Sequence, residues 1–113
     1  MKKKVMISQP MRGKSEQQIR DERAALVIEL TENGYEVVDT IFAESPEEAA
    51  SKPIWYLAKS IEAISKVDAV YFMDGWNEAR GCRIEFQVCQ DYEVEILMSK
   101  AERDRIVNLT RKV

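Results

Sequence analysis

The sequence contains no histidine among its 113 residues. Histidine is the side chain most often used as a general base at neutral pH, and it is the commonest metal ligand. Its absence excludes Ser-His and Cys-His catalysis within one chain, as well as metal sites built on imidazole. Any chemistry must therefore depend on carboxylates, hydroxyls, arginine or lysine.

Cysteine is scarce as well, with only Cys82 and Cys89. Their spacing of seven puts both on one side of a predicted helix, about two turns and roughly 10 Å apart. That separation exceeds the reach of a disulfide. We predict two unpaired thiols that pack as small core residues.

The sequence lacks both an excess of one charge and a long apolar run. Seventeen basic and 20 acidic residues leave a net charge of -3, which provides no basic field for nucleic acid. The basic opening, Lys2-Lys3-Lys4, leads into a short apolar strand and not into the apolar region of a signal peptide. We expect a cytoplasmic protein without nucleic-acid or membrane partners. No metal-ligand cluster or redox-cofactor motif is visible, and we predict neither group.

The apolar pattern alternates between short strands and longer helices, and 45% hydrophobic residues suffice for one core. We predict a single domain, 1–113, with a mostly parallel sheet of four to five strands, flanking helices and a C-terminal helix. The predicted strands are Lys4–Ser8, Tyr35–Asp39, Asp68–Met73 and Val94–Met98. The first two predicted helices run from Ser15 to a stop at Asn33-Gly34 and from Pro53 to before Asp68. The third runs from about Ala79 to Tyr92, with Ile84, Val88 and Cys89 pointing inward. The fourth begins at Ser99 and carries Ile106, Val107 and Leu109. An acidic connection from Ala43 to Lys52 contains Ser45-Pro46, which favours a short helical turn.

Polar residues follow three of the predicted strands. In a parallel sheet these loops meet at one edge, so we expect a common crevice lined by Ser8, Gln9, Met11, Arg12, Gly13, Asp39 and the segment 74–85. Arg12 and Gly13 precede a capped helix N-terminus, where an anion is favoured. The alternative is an ordinary solvated turn that carries a surface arginine.

Glu85 lies in the first turns of the helix that points into this crevice. The helix N-terminus favours an ionised carboxylate there, and such a group is a competent nucleophile for glycosyl transfer. The dipole alone would also select a glutamate at this position. Asp74 and Glu78 lie in the right loop for a proton donor, although a solvated acidic loop has the same composition.

Several other side chains have two interpretations. Trp76, with Trp55 and Tyr56, is suited to stacking on a flat ligand, but aromatic residues at helical spacing also form core or subunit contacts. Arg80 and Arg83 either face a ligand or pair with Glu78 or Glu85. Asp68 is expected to tether the preceding loop, and no chemistry is assigned to it.

The order of three segments resembles the nucleoside 2-deoxyribosyltransferase superfamily, which includes deoxynucleoside 5'-monophosphate N-glycosidases. The segments are Val5-Met6-Ile7-Ser8-Gln9-Pro10-Met11-Arg12-Gly13, Asp68-Ala69-Val70 and Gly81-Cys82-Arg83-Ile84-Glu85. The likeness extends from about Lys4 to Leu97 and is strongest to a small branch found in phage and bacterial genomes.

This resemblance implies a Rossmann-like or flavodoxin-like sheet and cleavage at the N-glycosidic bond of a 2'-deoxynucleoside or its 5'-monophosphate. By this resemblance Glu85 would be the nucleophile. Asp74 or Glu78 is our own candidate for the proton donor, from its position in the loop after the third strand. The loop from Ser8 to Gly13 would bind the 5'-phosphate through Ser8, Arg12 and backbone amides. Gln9, Met11, Asp39, Trp76, Asn77 and Gly81 complete the predicted substrate-binding set. Water as acceptor gives hydrolysis, and a second base gives transfer.

The chain departs from the superfamily pattern at two positions. Ser60 stands where a carboxylate on the helix before the third strand helps to handle the proton, and Ala79 stands two before the glycine. Three hypotheses therefore stay open: an N-glycosidase or deoxyribosyltransferase, a catalytically silent nucleotide-binding or sensing module, and a phage accessory interaction protein. Related enzymes assemble into dimers or larger oligomers, so we also predict a homo-oligomer.

Overall fold

A computed structural model describes residues 2–39 and 45–111. Within these residues the chain alternates four strands with four helices. In order they are β1 (Lys3–Ser8), α1 (Glu16–Glu32), β2 (Tyr35–Val37), α2 (Lys52–Ile64), β3 (Ala69–Phe72), α3 (Arg80–Asp91), β4 (Glu95–Leu97) and α4 (Lys100–Arg111), with a 3-10 turn at Trp76–Glu78 between β3 and α3. The predicted strands and helices are all present. β1 ends at Ser8 as predicted, and the other three strands end one or two residues earlier than the sequence pattern indicates.

The sheet is parallel throughout, with the strand order β2-β1-β3-β4. β1 and β3 form its centre, where Val5 pairs with Ala69 and Ser8 pairs with Phe72. The order is that of the first four strands of a flavodoxin-like sheet. The predicted α/β architecture with a parallel sheet and a C-terminal helix is confirmed.

Three serines begin helices as their position in the sequence indicates. Ser15 accepts a hydrogen bond from the backbone N–H of Gln18 at 3.1 Å, and Ser99 accepts one from the N–H of Glu102 at 3.1 Å. Ser51 does the same for α2, in which Pro53 occupies the first turn. Each hydroxyl satisfies one of the N–H groups that lack a partner at a helix start.

The core lies on both faces of the sheet. Leu26 and Leu30 of α1 pack on one face against Val5, Ile7 and Ala69. On the other face, α2 and α3 pack against Met6, Val70 and Phe72. Burial on both faces explains why β1 reads as a continuous apolar run.

The inward stripe of α3 differs from the predicted one. Cys82, Glu85 and Cys89 are the buried residues, whereas Ile84 is 38% exposed. The prediction that Ile84 points inward is wrong, because its neighbour Glu85 occupies the buried position and successive helical residues differ by about 100° in direction. Both thiols are free, so the absence of a disulfide is confirmed.

Two loop predictions have different outcomes. Asp68 accepts a hydrogen bond from the N–H of Lys4 at 2.7 Å, which joins the start of β3 to β1, while a tether to the preceding loop stays a prediction. Pro46 accepts a bond from Ala49 N–H in a single turn, and no helix forms there. The first part of the predicted acidic connection, Ala43 and Glu44, lies outside the described residues. None of the helices in the described ranges combines the length and apolarity that crossing a bilayer requires.

Candidate functional site

The topology places a cleft at the centre of the sheet edge. The chain leaves β1 toward β2 on one side and reaches β3 on the other, and such a switch point opens a crevice beyond the carboxyl ends of the two central strands. A cleft of about 950 Å³ lies there. We call it the central cleft. Its walls come from the loop after β1, the first half of α2, the loop after β3 and the start of α3. The lining residues are Gln9, Pro10, Met11, Arg12, Lys14, Pro53, Tyr56, Leu57, Ser60, Asp74, Gly75, Glu78, Ala79, Arg80, Gly81, Cys82, Arg83 and Glu85.

Glu85 is the buried carboxylate of this cleft. It lies in the second turn of α3 and is only 7% exposed. Its Oε1 atom accepts a hydrogen bond from Ser8 Oγ at 3.4 Å, and Ser8 itself is 2% exposed at the end of β1. Ser8 on the central strand β1 therefore holds the Glu85 carboxyl group in the cleft, where it is suited to contact a bound molecule.

The protonation of Glu85 differs from the sequence expectation of a helix-stabilised anion. Burial raises its pKa to about 7, because the charged form loses hydration. The hydrogen bond from Ser8 acts in the opposite direction and lowers the pKa. The carboxyl group is therefore poised between its neutral and charged forms near pH 7.

Two thiols surround this carboxyl group. The pKa of Cys82 and of Cys89 is raised to about 11, mainly by burial and in smaller part by the charge of Glu85. Ser8 also forms a hydrogen bond with Cys82, which lowers the pKa of that thiol. Both thiols remain neutral at pH 7, so neither cysteine places a negative charge beside Glu85.

The central cleft contains charges of both signs. Its lining includes four basic side chains, Arg12, Lys14, Arg80 and Arg83, and three acidic ones, Asp74, Glu78 and Glu85. Lys14 forms an ion pair with Glu22 at 2.9 Å, and Arg83 donates to the backbone carbonyl of Asn77 at 3.2 Å. Within residues 2–39 and 45–111, Arg12 and Arg80 form no ion pair. These two guanidinium groups are the ones available to an anion.

A tight turn presents Arg12 at the mouth of the cleft. Lys14 N–H donates to Met11 C=O at 3.2 Å, and Gly13 at the third position has φ +80°. A type II turn requires this left-handed conformation, which glycine adopts without steric cost. Gly13 is exposed and does not line the cleft, so its role here is to shape the turn.

Gln9 lines the cleft, but its amide is already bonded. It donates to the carbonyl of Ile19 at 2.8 Å and accepts from Arg23 at 3.4 Å. The side chain is 7% exposed. Gln9 therefore fixes the loop after β1 against α1 more than it offers groups to a ligand.

Both candidate proton donors line the cleft. Asp74 accepts a hydrogen bond from Ser99 Oγ at 2.9 Å, which limits its rotation. Glu78 is exposed at the end of the 3-10 turn. Gly81 also lines the cleft, with open space where a side chain would begin.

Three predicted binding residues lie away from the cleft. Trp76 is 5% exposed and stacks on Phe86 in the core, with ring centroids 4.2 Å apart. Asn77 accepts a hydrogen bond from Arg105 at 2.6 Å on the side of α4. Asp39 is exposed beyond β2, where its charge acts on Arg23. Ser8 lies beneath the cleft and reaches it only through Glu85.

The predicted binding set contains no residue of α2, which forms one wall of the cleft. The resemblance aligns Ser60 of this helix with a carboxylate that helps to handle the proton. Pro53, Leu57 and Ser60 lie at spacings of four and three residues, and Tyr56 adjoins them. This spacing places them on one face of a helix. A single serine in a mostly apolar stripe is the signal that could have identified this wall. Glu62, by contrast, pairs with Lys59 at 3.9 Å and does not line the cleft.

The fold and the site together define an open parallel α/β domain with a carboxylate-bearing cleft at its switch point. The chain belongs to the family DUF4406, described as a domain of unknown function, whose model matches residues 3–98. The match covers all four strands and every segment that lines the central cleft, and it stops before α4. No curated protein and no solved structure matches the chain at a significant level. The family description names no activity, so the resemblance to the deoxyribosyltransferase superfamily stays a prediction.

Proposed function

We propose that the protein cleaves the N-glycosidic bond of a 2'-deoxynucleoside or its 5'-monophosphate, with Glu85 as the nucleophile. The observation that carries this proposal is the enclosed carboxyl group of Glu85 in the central cleft, 3.4 Å from Ser8 Oγ. A carboxylate in a partly dry pocket is weakly hydrated and reacts readily with an electron-poor sugar carbon. The 950 Å³ cleft is large enough for one nucleotide.

The charges of the cleft support a phosphorylated substrate. Arg12, in the loop after β1, and Arg80, at the start of α3, both line the cleft without ion pairs to described residues, and a phosphate would supply their counter-charge. The open backbone at Gly81 adds N–H groups at the start of α3, where the helix dipole favours an anion. These groups are separate from Glu85, so phosphate binding and bond cleavage would use different parts of the cleft.

The proposed reaction has two steps. An oxygen of ionised Glu85 forms an ester with the anomeric carbon as the bond from that carbon to the base nitrogen breaks. The bonding electron pair leaves with the base, which takes a proton from Asp74 or Glu78. In the second step, water or another base attacks the anomeric carbon as the ester bond to Glu85 breaks, and Glu85 leaves as the carboxylate. The attacking group gives its proton to the Asp74 or Glu78 carboxylate that the first step deprotonated, which gives hydrolysis or transfer.

A second candidate is a nucleotide-binding or sensing module without catalysis. Ser60 favours it, because this residue lines the cleft where the resemblance implies a carboxylate. General acid assistance is commonly worth about a hundredfold or more in rate. A third candidate, an accessory interaction protein, would be supported by Glu85 locked in a salt bridge to Arg80 or Arg83. Neither arginine forms an ion pair with a described residue, and Glu85 accepts from Ser8 instead.

The decisive experiment is incubation of the wild type, Glu85→Ala and Glu62→Ala with 2'-deoxynucleosides and their 5'-monophosphates. Released base is measured by chromatography, and a deoxyribosyl adduct by mass spectrometry of the protein. Glu62 is an exposed glutamate outside the cleft, so its variant controls for the loss of a carboxylate. We expect base release that disappears in Glu85→Ala and persists in Glu62→Ala.

The other outcomes separate the candidates. If no base is released but a monophosphate raises the melting temperature, catalysis is abandoned and the binding module is retained. If neither occurs, the nucleotide hypothesis fails in both forms. Comparing nucleoside with monophosphate in the same assay shows whether the phosphate is required.

We also propose that the protein assembles as a homo-oligomer. Ile54 and Tyr56 of α2 are 66% and 37% exposed near the mouth of the cleft, and exposed apolar side chains favour subunit contacts. Sedimentation analysis at micromolar concentration tests this proposal, and a monomer would contradict it. The cytoplasmic location stays a prediction.

A further inference from the structure

Helix α4 contacts the loop that forms one wall of the central cleft. This loop, residues 74–79, carries both candidate proton donors and ends where α3 begins. Three side chains from Ser99 and α4 bond to it. Ser99 donates to Asp74, Glu102 accepts from the backbone N–H of Gly75 at 3.3 Å, and Arg105 donates to Asn77 Oδ1 at 2.6 Å.

The central member of this contact is Glu102. It is 4% exposed, and a charged side chain is seldom buried so fully unless it is paired. Arg105 is its partner and bonds to both carboxylate oxygens. This hydrogen bonding lowers the pKa of Glu102, which keeps the group ionised at neutral pH. The N–H of Gly75, a residue at φ +88°, therefore donates to a full negative charge.

Helix α4 also makes an apolar contact beside its polar ones. Ile106 packs against the apolar cluster on that face of the sheet. The polar contacts instead converge on one short loop, at Asp74, Gly75 and Asn77. All of them originate at or after Ser99, beyond residues 3–98 that match the family model.

We propose that α4 holds the 74–79 loop in its cleft-forming position, with Glu102 and Arg105 as positioning residues. Trp76 anchors the middle of the loop in the core, where it stacks on Phe86, and Glu78 N–H donates to the carbonyl of Gly75. The α4 contacts act on the polar positions around this anchor, so removing them frees Asp74, Gly75 and Asn77 while Trp76, the sheet and α3 remain in place. The functional consequence rests on the proposed function, because it is Asp74 or Glu78 that would protonate the departing base.

The test compares four variants of the full chain: Glu102→Ala, Arg105→Ala, the conservative Glu102→Gln and the control Arg103→Ala. Arg103 lies in the same helix, is exposed, and its side chain contacts none of the loop residues. Amide hydrogen exchange, followed by NMR, is measured at Gly75 and at the strand residues Met6 and Val70. We expect Gly75 to exchange about tenfold faster or more in Glu102→Ala, which removes the acceptor of a charge-assisted hydrogen bond. Arg105→Ala should raise the exchange less, because Glu102 keeps its carboxylate but loses the partner that holds it. The strand amides should be unchanged, Arg103→Ala should match the wild type, and Glu102→Gln should recover part of the protection through its amide oxygen.

Unchanged exchange at Gly75 in both alanine variants would overturn the proposal. An equal rise at Gly75, Met6 and Val70 would also overturn it, because it would show that α4 stabilises the whole domain and not the loop. If Glu102→Ala does not fold, Arg105→Ala carries the test, since Arg105 is partly exposed and its loss leaves no cavity in the core.

The exchange measurement is independent of activity, so failure of the proposed function leaves it intact. Where base release is observed, Arg105→Ala is expected to lower kcat about tenfold or more with a smaller change in KM, since it displaces the proton donor and not the phosphate-binding arginines. A change confined to KM would contradict the positioning role.

Discussion

Ser8 at the end of β1 and Glu85 in the second turn of α3 are 77 positions apart, and their side chains meet beneath the central cleft with Oγ 3.4 Å from Oε1. This contact joins the central strand to the helix whose N-terminus faces the cleft. It also connects two opposing effects on one carboxyl group, since burial raises the pKa of Glu85 and the Ser8 hydroxyl lowers it. Four predictions follow from this site and from the helix that carries it.

The stability of the protein should depend on pH through Glu85. The pKa in the folded state is about 7, above the ordinary value of 4.5, so the folded protein binds more protons between these values. The stabilising contribution is therefore full below about pH 4.5 and is lost as pH rises to about 7, by roughly 3 kcal/mol in total. Denaturant unfolding at pH 5 and pH 8 should show this loss in the wild type and a smaller one in Glu85→Gln. The exposed Glu62→Gln serves as the control, and an equal pH dependence in Glu85→Gln and the wild type would contradict the prediction.

Removing the Ser8 hydroxyl should raise the pKa of Glu85 further. The hydroxyl donates to the charged form, and a donor of this kind favours ionisation. Titration of the glutamate side-chain carbonyl carbon by NMR in Ser8→Ala should show an upward shift. Ser60→Ala removes a cleft hydroxyl that does not bond to Glu85 and should leave the titration unchanged. A downward shift in Ser8→Ala would show that the hydroxyl does not stabilise the anion.

Arg12→Ala should weaken binding of a 2'-deoxynucleoside 5'-monophosphate by about tenfold or more, and binding of the nucleoside far less. The side chain faces the cleft without an ion pair to a described residue, and hydrogen bonds to charged groups are worth about 1.5–3 kcal/mol. Calorimetric titration of both ligands provides the comparison. Arg103→Ala, which removes the same charge outside the cleft, should not alter either affinity. Equal weakening for nucleoside and monophosphate would place the phosphate elsewhere.

Glu93→Gly should stabilise the protein by about 0.5–1 kcal/mol. Glu93 follows the last turn of α3 at φ +57°, and the bond from Val94 N–H to Cys89 C=O at 2.9 Å closes a Schellman motif around it. A non-glycine residue in this conformation is strained by about 1–2 kcal/mol, and glycine removes that strain. Part of the gain is lost because glycine makes the unfolded chain more flexible. Thermal unfolding measures the gain. Gln90→Gly, in the last turn of the same helix, should instead destabilise by up to about 1 kcal/mol, and a gain there would refute the conformational explanation.

The sequence was sufficient to predict the architecture, because local patterns determine it. The continuous apolar run in β1 reflects burial on both faces, and Ser15 and Ser99 mark helix starts through bonds to residues three positions later. Glu85 could also be identified, since helical spacing places it near the N-terminus of α3. The exposed Ile84 shows the limit of such reasoning, because composition alone favours the isoleucine over the adjacent glutamate as the buried residue.

Tertiary structure decided which polar groups share the cleft and what their surroundings do to them. Ser8 reads as a ligand-binding residue in the sequence, yet the pairing of β1 with β3 buries it under Glu85. Trp76 reads as a stacking platform, yet it packs on Phe86 in the core. The pKa of Glu85 depends on desolvation by residues from separate elements, and Glu102 reaches Gly75 across 27 positions. Sequence periodicity shows which face of a helix or strand is apolar. The distances between elements are set only when the chain packs, and these distances determine whether a buried carboxyl group is charged.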